Sequence, residues 1–266
     1  MNFKIIFTIF LFSFVLLLVT ENSYASSTEP ILITTSQDMD QILFDGKWTF
    51  FKEWKSSSLN RFTFDDGMNI ILRSAHQGDF IYFYIEVIND YISNKGMDKA
   101  TICLDSNNNK NIIPDDDDFC FSSTLGNKQG VVFQGGSANG VTGNFQQIPN
   151  PKNFIALGNI SDENSRYEKI PHSSYEFRIP IELVQRSDNY GFYLSVYEAQ
   201  SQKFYSWPEE SVRESFFKIP SPANWGDIIS PDKSLPEINL PIIVLLISIL
   251  ATILIPFKTK NLISRF

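Results

Sequence analysis

Polar and apolar positions divide this chain into an apolar start, a long alternating middle and an apolar end. Ile5 to Val19 are almost entirely apolar, follow Lys4, and lead to Ser23-Tyr24-Ala25, small residues at the −3 and −1 positions of a signal cleavage site. Leu240 to Phe257 is uncharged and apolar, long enough for the roughly 18 residues of a bilayer span. Lys258, Lys260 and Arg265 follow it and hold that end on the cytoplasmic side. The order predicted is a signal peptide at 1–25, a polar leader at 26–41, a domain at 42–229, a Pro-rich stalk at 230–239, a transmembrane helix at 240–257 and a basic cytoplasmic tail at 258–266. The middle is then exported, anchored in the cell membrane and exposed at the cell surface.

Within the middle, the period is that of strands. Asn69 to Ala75, Phe80 to Ile88, Lys99 to Leu104, Asp118 to Ser122, Gly130 to Gln134, Phe154 to Asn159, Ser174 to Ile179 and Tyr190 to Ala199 are short, aromatic and β-branched, and broken by Gly, Asn and Asp. Phe192, Leu194 and Val196 share one face, with Tyr193, Ser195 and Tyr197 on the other. Tyr175, Phe177 and Ile179 oppose Glu176 and Arg178. Pro180 to Gln185 reads as one helical turn, and Asn139-Gly140 as a hairpin turn. The pattern predicts an all-β protein, a two-sheet immunoglobulin-like sandwich.

Charge and cysteine content narrow the function. The chain has 22 Lys+Arg and 30 Asp+Glu; the exported part keeps 18 cations against 29 acids, near −11. Such a surface repels nucleic acid and suits cations, neutral sugars or surface polymers. Cys103 and Cys120 are the only cysteines, and outside the cell a pair reads as one disulfide. If Leu104 pairs with Phe119, Cys103 faces Cys120 across a hairpin. Its closed loop is worth about 3 kcal/mol in the chain-entropy model.

Between the cysteines, Asp105, Asn107 and Asn109 alternate, and Asp115, Asp116, Asp117 and Asp118 follow. Hard oxygen donors at that spacing fit Ca2+, though not as an EF-hand, since the sixth position lacks Gly. The other reading is a solvated acidic loop. Among aromatics, Trp54, Trp207, Tyr82, Tyr84, Tyr193 and Tyr197 are candidate sugar platforms, set against plain core packing, whereas Trp225 reads as structural. Catalytic motifs are absent: His76 and His172 stand apart, and Glu209-Glu210 is an ordinary exposed acid pair.

Three blocks carry a resemblance. They are Phe44-Asp45-Gly46-Lys47 with Glu53-Trp54, Ile71 through Val87 running to Asn89-Asp90, and Tyr205-Ser206-Trp207-Pro208 followed by Pro222-Ala223-Asn224-Trp225-Gly226-Asp227-Ile228. In order and spacing they resemble the DOMON-like superfamily, which includes family-nine carbohydrate-binding modules and the haem subunits of ethylbenzene-dehydrogenase-type enzymes. The resemblance implies a sandwich that binds rather than catalyses, often with structural calcium, and a last strand holding Trp225. Its first branch implies glycan capture. Its second implies haem b and electron transfer, with Met68, Met97, His76 and Lys99 as candidate axial ligands. A third reading is a structural envelope protein. The tail from Pro236-Glu237 onward resembles the PEF-CTERM class of archaeal sorting signals, without the Phe and Gly expected after Glu.

Overall fold

The computed structural model describes residues 29–138, 143–211, 213–215 and 218–230. The signal peptide, most of the stalk, the apolar run at 240–257, the basic tail and the Asn139-Gly140 turn lie outside the described residues. Among the described residues no helix is long and apolar enough to cross a membrane.

Two sheets stack face to face. The first holds eight strands: β1 (Ile31–Leu32), β6 (Lys99–Asp105), β7 (Asp118–Thr124), β8 (Val131–Gln134), β9 (Gln146–Ile148), β12 (Asn189–Glu198), β13 (Lys203–Trp207) and β14 (Gly226–Ile229). Their order is β1-β14-β12-β6-β7-β8-β9, with β13 also on β12. The second holds six: β2 (Thr34–Thr35), β3 (Ser58–Thr63), β4 (Asn69–Gln77), β5 (Phe80–Ile88), β10 (Ile155–Ile160) and β11 (Ser173–Pro180), ordered β10-β11-β5-β4-β2 with β3 on β4. One helical turn, α1 (Ile181–Val184), follows β11. The predicted Phe80 to Ile88 strand keeps its bounds, and the other seven differ by one or two residues.

Alternation fixes which side chains meet between the sheets. Ile70, Leu72, Ile81, Phe83 and Ile85 of one sheet pack on Ile102, Leu104, Phe121, Phe192 and Leu194 of the other. Phe83 and Phe192 stack at 5.6 Å. Burial of such side chains stabilises by about 1.5–3 kcal/mol each.

The segment read as a polar leader is woven in from Ile31 onward. β1 runs parallel to β14 and β2 parallel to β4, and Ile31 and Ile33 are buried. Two alternate apolar residues suffice to dock a short strand on an open edge. β3 and β13, which the sequence pattern did not resolve, are edge strands too.

Candidate functional site

The outer faces of the sheets are not bare. On the second sheet, Arg73, Tyr82, Tyr84, Glu86, Glu176 and Arg178 point outward, and the segment 36–57 lies across them. Met39, Ile42, Trp48 and Trp54 pack there on Tyr82 and Tyr84. Glu176 holds this cover down: its Oε2 accepts the backbone N–H of Asp45 (2.9 Å) and Gly46 (2.7 Å), and its Oε1 accepts the Trp54 indole N–H (3.0 Å). Burial pushes the Glu176 carboxyl well up, and the Gly46 and Trp54 donors pull it part of the way back. Gly46 has φ +88, and a Cβ there would lie 2.9 Å from Asn159, so only glycine lets the chain pass so close to β10. Glu86 accepts the hydroxyls of Tyr84 (2.6 Å) and Ser165 (2.8 Å), which fastens the 161–172 segment as well.

On the first sheet, Cys103 and Cys120 pair directly across β6 and β7 and are bonded, as the hairpin register predicts. Tyr193, Phe145, Ile219 and Trp225 cover the bridge. Tyr193 stacks with Trp225 at 6.1 Å.

This covering corrects the reading of the aromatics. Trp54, Tyr84 and Tyr193 are 0 % exposed, Tyr82 4 %, Tyr197 8 % and Trp207 9 %. None offers a sugar-sized face in this structure. Period two placed the four tyrosines on outer faces, but distant loops cover Tyr82, Tyr84 and Tyr193, and Phe204 of the adjoining β13 packs on Tyr197. Trp207 points inward, beside Phe62 and Phe192.

Of the haem candidates, Met68 and His76 are not brought together. Met68 precedes β4 and His76 nearly ends it, so about 26 Å of extended chain separates them at ~3.3 Å per residue. One iron cannot bridge that span. Met97 is 55 % exposed, and Lys99, where β6 begins, is half-buried.

The acidic loop is ordered from within. Asp105 accepts the backbone N–H of Asn109 (3.2 Å) and Lys110 (3.0 Å), and Asp117 that of Asn107 (3.0 Å). Asn107 and Asn109 turn their side-chain oxygens to the loop's own backbone N–H groups, at Asn109 and Asn111. Asp115, Asp116 and Asp117 bring one oxygen each within 4.8 Å of one another. Asp105 and Asp118 are fully buried. Asp118 Oδ2 accepts the Asp115 N–H at 2.8 Å, but Asp118 Oδ1 and Asn108 Oδ1 are buried and accept no hydrogen bond. Burial, then Asp105 and Asp115, push the Asp118 carboxyl up to about 8; burial and Asp115 push Asp117 up to about 7. Hydrogen bonding from Asp117 lowers Asp115 instead. Crowded carboxyls and orphaned oxygens fit a hard cation. Asn108 is the donor that alternate spacing missed.

At the end of the sandwich where β4 starts, the sheets' edge strands form a cleft of about 310 Å³. Its walls are Phe64, Asp65 and Asp66 of the β3–β4 turn and Lys203, Phe204, Tyr205 and Glu209 around β13. Lys203 Nζ meets Asp66 at 2.7 Å, and the Tyr205 hydroxyl donates to the same carboxylate at 3.0 Å. Phe64 meets Tyr205 edge-on at 5.1 Å. The Asp66-Gly67 pair was the one sequence signal of this turn. The chain leaves the described region at Ser230, bonded to Asp188 beside the start of β12, at the opposite end.

Near the cleft, buried Asp90 and Asp98 face Glu198, Ser173 and Tyr175. Burial pushes Asp90 up to about 6, Ser173 partly offsets this, and the charges of Asp98 and Glu198 raise it further. A carboxyl with a raised native pKa favours the fold when protonated. That share is complete below its ordinary value of 3.8 and is lost as pH rises through about 6. Melting temperature is therefore expected to fall between about pH 4 and pH 6, and Asp90→Asn to flatten that slope. An unchanged slope in the variant would place the pH dependence elsewhere.

No family model and no curated protein match the chain. Four solved chains do. One is a family 9 carbohydrate-binding module from Caldicellulosiruptor kristjanssonii in complex with cellotriose, with TM-score 0.48 and 16 % identity over 79 % of this chain and 100 % of that one. Another is a family 9 module from the same organism in complex with glucose, with TM-score 0.49 and 14 % identity over 76 % of this chain and 95 % of that one.

Proposed function

We propose that this chain is a non-catalytic, DOMON-like binding module held at the cell surface, and that it captures neutral carbohydrate in the cleft between β13 and the β3–β4 turn. One observation carries the reading. Three aromatic side chains line a cleft of about 310 Å³ together with carboxylates and one ammonium group. Apolar walls with a few convergent polar groups are what a small-ligand site needs. The half-buried rings of Phe64 and Phe204 cover the C–H faces of a sugar, buried Tyr205 backs Phe64 and Asp66, and Asp65, Asp66 and Glu209 accept from its hydroxyls. The Lys203–Asp66 pair fixes two of these groups before a ligand arrives, which lowers the ordering cost of binding. A tail anchored beyond Ser230 leaves from the other end, so the cleft faces outward.

The test is calorimetric titration of full-length protein in nonionic detergent with cello-, xylo- and manno-oligosaccharides. At least one is expected to bind with modest affinity. Phe64→Ala is expected to weaken it about tenfold while the melting curve stays cooperative. Binding that ignores Phe64→Ala and Lys203→Ala would move the site, and no binding to any neutral oligosaccharide would end the proposal.

We also propose a structural Ca2+ in the acidic loop, held by Asp105, Asn108, Asp118 and the carboxylates of Asp115 to Asp117. The orphaned oxygens of Asp118 and Asn108 support it. A ligand of the native state alone stabilises by about 2.7 kcal/mol at a hundredfold excess over its Kd. Chelator is expected to lower the melting temperature of the full-length protein, and Asp118→Asn to remove most of the calcium-dependent part. A melt indifferent to calcium and chelator returns the loop to plain solvated acids.

A further inference from the structure

The two segments that cover the second sheet leave a cleft between them. Trp48 of the 36–57 segment meets Tyr167 of the 161–172 segment edge-on at 6.0 Å, and Lys47 pairs with Asp162. Arg73 of β4 donates to the Tyr167 hydroxyl at 2.6 Å. The cleft encloses about 320 Å³ and is lined by Trp48, Phe51, Asn164, Arg166 and Lys169. Trp48, 1 % exposed, is its floor, and Phe51, 71 % exposed, is an open wall.

The charge here is opposite to that of the chain. Lys55 Nζ lies 3.3 Å from the centre of the Phe51 ring. Desolvation, then the charges of Arg166 and Lys52, pull the Lys55 ammonium below its ordinary value. Lys52, Lys55, Arg166 and Lys169 therefore share one place, and no carboxylate among the described residues lines it. The acids of the neighbouring loop are engaged elsewhere. Asp162 and Glu163 act on Lys47, and Glu168 accepts the backbone N–H of Lys169 (2.6 Å) and Ile170 (3.0 Å). Lys169 Nζ donates to the carbonyls of Glu163 (2.8 Å) and Ser165 (2.5 Å), which hold it without neutralising it and leave its third N–H for a ligand. Among the described residues neither Arg166 nor Lys169 forms an ion pair.

Like charges gathered around a ring and a hollow suit an anion that brings apolar surface with it. We propose that this cleft is a second carbohydrate site, which takes a sugar whose ring carries a carboxylate or a sulfate. Phe51 receives the ring, Asn164 a hydroxyl, and Arg166 with Lys169 the anion. Lys52 and Lys55 add attraction at the rim. Acids more than a Debye length away, about 8 Å at physiological salt, are largely screened, so the net charge of the exported part does not decide what binds here. The site shares no residue with the neutral-sugar cleft and is independent of it.

Calorimetric titration of the full-length protein in nonionic detergent at physiological salt tests this with two pairs of probes. They are tetragalacturonic acid with its methyl ester, and a κ-carrageenan tetrasaccharide with its desulfated form. At least one acid is expected to bind, its uncharged partner at least about tenfold more weakly, and the acid that binds tells carboxylate from sulfate. Arg166→Gln and Phe51→Ala are each expected to lose about tenfold. Both side chains are exposed, so each variant is expected to keep the wild-type melting curve. Phe64→Ala in the other cleft is expected to change nothing. No binding of either acid, equal binding of an acid and its uncharged partner, or full binding by either variant would overturn the proposal. Loss through Phe64→Ala instead would assign acid sugars to the neutral-sugar cleft and overturn it too.

Discussion

Glu176→Ala is expected to destabilise the protein by roughly 3–5 kcal/mol, because it strands buried donors that only this carboxyl satisfies. The side chain is 0 % exposed and accepts from Asp45, Gly46 and Trp54. These contacts span more than 120 residues of sequence, so the loss falls on the tertiary docking of 36–57, not on local structure. For a domain of about 200 residues the melting temperature should drop by about 10 °C. Hydrogen exchange should rise first at Asp45 and Gly46. Glu176→Gln should fall between, since its oxygen can serve two donors while its NH2 confronts a third. A urea midpoint unmoved by the alanine variant would show that the cover is held by apolar packing alone.

Removing the disulfide is expected to cost about 3 kcal/mol in the chain-entropy model, for a bridge of sequence separation 17. Cys103→Ala with Cys120→Ala is the cleaner pair, because the sulfurs sit among Phe133, Phe145, Tyr193 and Trp225, where hydroxyls would be unmatched. Asp105 and Asp118 lie two residues inside the bridged pair. The ring therefore limits how far the acidic loop can spread in the unfolded chain. The proposed calcium-dependent rise in melting temperature should be no smaller in the double variant, because a looser unfolded loop competes less for the ion. Equal stability of oxidised wild type and double variant would place the bridge's contribution near zero.

Much of the sandwich was legible because its signal is local. In β5, β11 and β12, period two sorts Phe83, Phe177 and Phe192 to one face without knowledge of any partner. The cysteine bridge was legible for the same reason: given Leu104 opposite Phe119, hairpin register brings the two cysteines together. The acid loop announced its donors by composition, although the turn at Asn108 selected one that alternation passes over. The short edges β1, β2, β3 and β13 were not legible. Each holds too few alternate residues to show a period, and each exists because a neighbour offers an open row of N–H and C=O groups.

What covers each face was decided by the tertiary structure alone. Tyr82, Tyr84 and Tyr193 read as outward, and they are, but segments 36–57 and 219–225 bury them. The two clefts arise in the same way. Phe64 and Tyr205 stand 141 positions apart, and Trp48 meets Tyr167 from 119 away. Alternation is set by the backbone geometry of one strand and survives in the sequence. A cleft or a covered face is set by which distant loops find apolar area and hydrogen-bond partners there, and no local period records that choice.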